Sequence, residues 1–144
     1  MEERVGRPEK LPLTAVVMTF NEAGRIRKCL RSLSFAGELI VVDSGSTDGT
    51  REIASQEGAR VVERAWPGDY ADQRNFGDSL ASFDWILQLD ADEQVSPEME
   101  EELKAFFSSP REKTYGGGRF PRKEIIFGKW VRGGGWYPQY KLRL

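Results

Sequence analysis

The chain has 144 residues, 39% hydrophobic and 31% charged, with a formal net charge of −2. That is the size and balance of one folded domain with a real core, and it gives no general positive field for nucleic acid. Histidine is absent altogether, which excludes imidazole bases, histidine-containing triads and histidine metal sites and leaves carboxylates as the acid–base and ligand groups.

The single cysteine, Cys29, rules out an internal disulfide and fits a reducing compartment. It shares an apolar helical face with Ile26, Leu30 and Leu33, the place of a core thiol rather than a nucleophile. No stretch reaches the roughly 20 apolar residues of a membrane span. The expected location is therefore the cytoplasm, with peripheral contact at the inner face of the cell membrane left open.

Residues 1–12 are charged and proline-bearing, unlike a signal peptide, and read as a flexible lead-in. Leu13 to Phe20 is apolar nearly throughout, which suits a strand buried on both faces of a parallel sheet. Asn21 is placed to cap a helix whose apolar spacing continues to Leu33. Gly37 should break the chain before a second buried strand, Leu39 to Val42, that ends at Asp43. Ser44 to Thr50 is turn chemistry, and a helix follows from Thr50 to Glu57, closed by Gly58. A short strand, Arg60 to Glu63, and a loop, Trp66 to Asp69, lead to a helix over Tyr70 to Ala81.

The strand Trp85 to Leu89 then delivers Asp90 and Asp92. Ser96 and Pro97 start a helix that runs to Phe107, with a cap residue followed by proline at the first position. Strand and helix alternate four times, which predicts an α/β fold with a mainly parallel sheet and helices on both faces. After Pro110 the chain becomes rich in glycine, basic residues and aromatics. Alternation over Phe120 to Phe127 suggests a hairpin, and Lys141 to Leu144 reads as a strand left unpaired. We therefore expect two regions, 13–110 and 111–144, the second incomplete.

The first strand is not followed by Gly-x-Gly-x-x-Gly, so a Rossmann dinucleotide site loses its main support, and no phosphate-binding Gly-x-x-x-x-Gly-Lys-Ser/Thr is present. Instead three strands each end in side chains that can bond a ligand: Thr19 to Glu22, then Asp43, then Asp90 with Asp92. Carboxyl ends of strands in one parallel sheet line one crevice. Asp90 and Asp92, two residues apart on extended backbone, point the same way and can offer hard oxygens to one divalent cation. Taken singly, Asp43 reads equally as a turn residue and Asp90-Ala91-Asp92 as a polar strand end before a helix.

Four ordered segments carry a resemblance: Thr19-Phe-Asn-Glu22, Val41-Val-Asp-Ser-Gly-Ser-Thr-Asp-Gly-Thr50, Ala71-Asp-Gln-Arg-Asn75 and Leu89-Asp-Ala-Asp-Glu93. In order and spacing they resemble the N-terminal, nucleotide-sugar half of glycosyltransferase family 2. Within it, Thr19 to Glu22, Asp90 to Glu93 and Trp136-Tyr-Pro138 resemble the branch that holds lipopolysaccharide-core β-glucosyltransferases.

The resemblance implies a GT-A fold, a nucleoside-diphosphate sugar donor of the UDP-linked kind, and a glycan or lipid-linked acceptor met by the region after residue 110. It places Thr19, Phe20, Asn21 and Glu22 at the nucleoside, Asp43 at the base and Arg74 near the nucleotide. Asp90 would approach the ribose beside Ala91, and Asp92, with Asp90, would hold Mg²⁺ or Mn²⁺ on the diphosphate. It names no general base; Glu93 and Glu124 are available without a motif behind them. The competing readings are a nucleotide-sugar-binding module without turnover and a nucleotidyltransferase. The latter would want a glycine-rich basic loop where Phe20-Asn-Glu22 stands.

Overall fold

The computed structural model describes residues 9–126, 128–130, 132 and 139–144. Phe127, Gly133 to Gly135 and Trp136-Tyr-Pro138 lie outside them, as does most of the expected lead-in. Strands β1 (Leu11–Thr19), β2 (Ala36–Asp43), β3 (Arg60–Glu63) and β4 (Trp85–Asp90) form one sheet in the order β3-β2-β1-β4. Every neighbouring pair in it is parallel, as the alternation of elements predicts. Helices α1 (Ile26–Ser32), α2 (Thr50–Gln56), α3 (Tyr70–Ser79) and α4 (Pro97–Phe107) fall between and after the strands.

Successive residues of a strand face opposite sides of its sheet, and β1 uses both. Leu13, Ala15 and Val17 pack with Ile26, Cys29 and Leu30 of α1, Ala54 of α2 and Leu103 of α4. Val16 faces the other way with Ile40 and Val42 of β2, covered by Phe76 of α3 and by Leu80. Burial on both faces is why β1 reads as a continuous apolar run.

Helix α3 sits close on its face of the sheet. A Cβ on Gly77 would stand 2.6 Å from Val16 Cγ1 and 3.3 Å from Val42 Cγ2. The missing side chain lets the helix backbone approach the sheet. That approach carries Gln73 and Arg74 toward the carboxyl ends of the strands.

Several boundaries differ from the sequence expectation. β1 begins at Leu11, whose N–H donates to Phe35 O at 2.8 Å, so the lead-in is shorter than twelve residues. Gly37 lies inside β2 rather than before it. A Cβ there would meet Leu11 O at 2.8 Å and the Phe83 ring at 2.9 Å, so close approach, not a turn, calls for glycine. Asn21 does not cap α1, because Glu22 to Arg25 first make a turn and the helix starts at Ile26.

The region after residue 110 departs most. β5 (Arg119–Arg122) pairs antiparallel with β8 (Gln139–Leu142), while β6 (Ile125–Ile126) and β7 (Lys129–Trp130) make a tight local pair. The expected hairpin is thus divided between a local and a distant partner. Lys141 and Leu142 are paired rather than free, and Gln88 N–H of β4 donates to Arg143 O at 2.8 Å. β4 is the edge of the parallel sheet, and an edge strand keeps free donors for such a bond.

Candidate functional site

Parallel register sets the site. Thr19 pairs with Asp43 across β1 and β2, and Met18 pairs with Asp90 across β1 and β4. Three strands therefore end at one level, and their loops share one edge of the sheet. The sequence-predicted groups at Thr19 to Glu22, Asp43 and Asp90 to Asp92 are brought together there.

The loop after β1 is laced to the turn after β2. Asn21 has a left-handed φ of 51°, a conformation asparagine tolerates better than most residues. Its N–H donates to Ser46 Oγ at 2.8 Å, and its Oδ1 accepts from Thr47 N–H at 2.8 Å. Glu22 N–H donates to Thr50 Oγ1 at 3.0 Å, and Ala23 N–H to Asp48 Oδ2 at 3.1 Å. Hydrogen bonds from the Thr50 hydroxyl and from the Ala23 and Thr50 amides hold the Asp48 carboxyl below its usual range, against some burial.

Asp43 is fully buried in this lacing. Its Oδ1 accepts from Gly45 N–H at 2.9 Å and Ser46 N–H at 2.8 Å, and its Oδ2 accepts from Ser46 Oγ at 2.5 Å. Both oxygens thus serve the turn, and neither Asp43 nor Asn21 lines the cavity described next. In this structure both hold the two loops together.

An open cavity of about 660 Å³ lies at the strand ends. Thr19, Phe20 and Glu22 line it from the first loop, Arg74 from α3, and Asp90, Ala91 and Asp92 from the end of β4. Thr19 Oγ1 is buried beside the cavity without a hydrogen-bond partner. Phe20 is 58% exposed, a high value for an aromatic ring at a cavity. A flat group bound there would cover it.

The charges around Asp90 are paired. Arg74 Nη2 lies 3.4 Å from Asp90 Oδ1, and Arg143 Nη2 lies 3.7 Å from Asp90 Oδ2. Asp92 is more open, and among the described residues its ion-pair partner is Arg25, at 3.9 Å. Partly exposed pairs of this kind contribute little stability, so they bear on orientation rather than folding energy.

Among the described residues no three acidic or thiol side chains gather closely enough to enclose a metal ion unaided. Two carboxylates at a cavity suit a hard cation that completes its shell with ligand phosphates, and Asp92 is the freer of the two.

Cys29 supports this corner from beneath. Its Sγ–H donates to Asp90 O at 3.7 Å. Burial, and then the carboxylates of Glu93, Asp92 and Asp90, push the thiol up to about 12. The expected core thiol is what the structure shows.

Sequence reasoning missed four contributors. Trp66 and Tyr70 line the cavity and touch edge to face, ring centroids 4.6 Å apart; two aromatics beside a Pro-Gly loop were the available signal. Gln73 is buried, donating from Nε2 to Ser44 Oγ and Arg64 O at 3.3 Å each and accepting from Arg64 Nη1 at 2.9 Å. It ties α3 to the strand ends. Arg143, distant in sequence, carried no local signal at all. Among the described residues no helix is long and apolar enough to cross a membrane.

A parallel α/β sheet with an acidic crevice at its strand ends has its crevice where open α/β domains bind their ligands. The glycosyl transferase family 2 model matches residues 14–143, and the chain belongs to that family. An uncharacterized glycosyltransferase of Rickettsia felis is 43% identical over 104 residues, covering 72% of this chain and 36% of the relative. The lipopolysaccharide core biosynthesis glycosyltransferase LpsC of Rhizobium meliloti is 33% identical over 127 residues, covering 83% and 45%. The chain thus spans between a third and a half of these relatives' length.

Among solved structures, glucosyl-3-phosphoglycerate synthase from Mycobacterium tuberculosis in complex with uridine diphosphate is similar at a TM-score of 0.50 and 30% identity, over 58% of this chain and 34% of that one. Mannosyl-3-phosphoglycerate synthase from Rubrobacter xylanophilus shares the fold at a TM-score of 0.52 and 24% identity, over 61% and 33%. The architecture is the GT-A type, a Rossmann-like parallel sheet with helices on both faces.

Proposed function

We propose that this chain is the donor-binding part of a glycosyltransferase that moves a sugar from a uridine-diphosphate sugar to a glycan or lipid-linked acceptor. The observation that carries the reading is the convergence of β1 and β4 ends on one cavity, with Thr19, Phe20, Glu22, Arg74, Asp90 and Asp92 on its walls. Uridine diphosphate is favoured because the similar mycobacterial synthase binds it. A role in cell-envelope polysaccharide or lipopolysaccharide-core synthesis follows from the likeness to LpsC.

In this reading the base lies against Phe20, with the free Thr19 hydroxyl bonding it, and Glu22 lies alongside. Asp90 meets the ribose, and Arg74 turns part of its charge toward the diphosphate. Asp92, helped by Asp90, would hold Mg²⁺ or Mn²⁺. Such a cation offsets the charge that a diphosphate gains on leaving. Asp43 acts indirectly, by holding the turn that positions Asn21 and Ser46.

Transfer with inversion needs an acceptor hydroxyl to attack the anomeric carbon opposite the diphosphate while a carboxylate takes its proton. Glu93 does not offer itself, since both its oxygens accept from Arg143. Glu124 is paired with Arg122 at 2.5 Å. The base is therefore not assigned to either residue.

The test is transfer from a panel of uridine-, adenosine- and guanosine-diphosphate sugars to core-oligosaccharide acceptors, with the product's anomeric configuration read by proton NMR. A β-linked product from an α-linked donor is expected. Transfer only from adenosine-diphosphate or guanosine-diphosphate sugars, or an α-linked product, would overturn the donor and stereochemical assignments respectively.

A further inference from the structure

Arg143 follows β8, and only 10% of its side chain is exposed. Its Nη2 donates to Glu93 Oε1 at 2.9 Å and Oε2 at 3.1 Å and stands 3.7 Å from Asp90 Oδ2. Glu93 in turn closes the end of β4. Its Oε1 accepts from Asp90 N–H at 2.9 Å, and its own N–H donates to Asp90 O at 2.9 Å. Ala91 and Asp92 lie inside that closed turn.

The guanidinium is anchored through its own backbone as well. Arg143 O accepts from Gln88 N–H at 2.8 Å, and Arg143 N–H donates to Gly118 O at 3.2 Å. A Cβ on Gly117 would lie 2.9 Å from Leu144 O, so the glycine run is packed against this segment. One side chain therefore joins the β5–β8 pair to the acidic end of β4.

The charges explain why the joint matters. Asp90, Asp92 and Glu93 put three carboxylates within four residues. Glu93 is largely buried, and a buried carboxylate that loses its cation is costly to leave in place. Charge-assisted bonds from one guanidinium meet that demand and fix direction as well. With Arg143 gone, Glu93 would turn toward water and release the Asp90 amide, and the turn would lose its shape.

Resting on the donor-site reading above, we propose that Arg143 is a positioning residue. It clamps Glu93 so that the Asp90–Glu93 turn presents Asp90 and Asp92 to the cavity, and it makes the acidic corner depend on docking of the β5–β8 segment. It touches neither donor nor cation itself; it acts through Glu93.

The experiment compares wild type, Arg143→Met, Arg143→Lys and Glu93→Gln. Uridine-diphosphate affinity is measured with and without Mn²⁺ by calorimetry, and amide exchange is followed at Asp90 and Glu93. Removing a residue that orients metal ligands costs roughly 10–100-fold in metal affinity, so Arg143→Met should lower Mn²⁺-supported affinity by about that factor and change Mn²⁺-free affinity by less than about twofold. Arg143→Lys should regain part of the loss. Glu93→Gln should lose less than Arg143→Met, in the same direction, and both should speed exchange at Asp90 and Glu93.

Equal losses with and without Mn²⁺ would mean a general structural role and overturn the proposal. So would unchanged affinity or unchanged exchange in Arg143→Met. If wild type itself binds no uridine diphosphate, the donor-site reading fails, and the exchange data alone decide whether the clamp exists.

Discussion

Gly77 of α3 faces Val16 of β1 so closely that a Cβ would lie 2.6 Å from Val16 Cγ1. The contact sets the height of α3 above the sheet, and Arg74 rides on the same helix. Gly77→Ala gains helix propensity of about 1 kcal/mol. Against this, overpacking a tight contact costs about 1–3 kcal/mol, and Val16 is β-branched and has little freedom to yield. We expect a lower melting temperature and weaker nucleotide binding together, checked by thermal unfolding and calorimetry. A variant as stable as wild type with full affinity would show that α3 can shift without consequence.

Asp43 carries a second expectation. Removing its carboxylate leaves the buried Ser46 donors and the half-buried Gly45 N–H without partners, a loss of about 1–3 kcal/mol. Asp43→Ala should therefore destabilise the chain and weaken uridine and adenosine diphosphates by similar factors. Competition binding of the two against wild type and variant measures this. If the preference for uridine collapsed while stability held, Asp43 would be the base acceptor after all.

Cys29 should be inert in the folded protein. Its thiol keeps its proton to about 12, whereas an unfolded cysteine releases it near 9.0. The folded-state value is raised, so its contribution is fully present below 9.0 and is lost as pH rises from there toward 12. Native protein at pH 8 should resist a maleimide, and denatured protein should react at once. Rapid stoichiometric labelling of the native chain would mean that the corner beneath Asp90 opens readily.

The parts legible in the sequence were those fixed by local rules. Arg60 to Glu63 and Pro97 to Phe107 stand where composition and the Ser96-Pro97 start place them. Buried strands ending in Asp43 and Asp90 gave the sheet edge because parallel topology leaves few other arrangements. Family motifs singled out Thr19, Phe20, Glu22, Arg74, Asp90 and Asp92, all of which line the cavity.

What escaped was set by distant partners. Gly37 is required by Phe83 and Leu11, not by its neighbours. Asn21 looked like a helix cap, yet its bonds go to Ser46 and Thr47 on another loop. The bonds of Asp43 to Gly45 and Ser46 were legible only as one of two readings of a turn aspartate, and burial shows that one is made. Arg143 meets Glu93 across 50 positions, and no spacing rule reaches that far.

The most direct test of the donor site compares Asp92→Asn with Glu93→Gln in calorimetric titrations of uridine diphosphate, each with and without Mn²⁺. Asp92 is the open carboxylate at the cavity, and removing its charge takes a hard ligand from the cation itself. Glu93 acts only through the turn. The expected result is that Mn²⁺ no longer strengthens binding in Asp92→Asn but still does so, less fully, in Glu93→Gln. Equal affinities in the two variants, or Mn²⁺ enhancement intact in Asp92→Asn, would contradict the assignment of Asp92 and with it the metal-supported donor site.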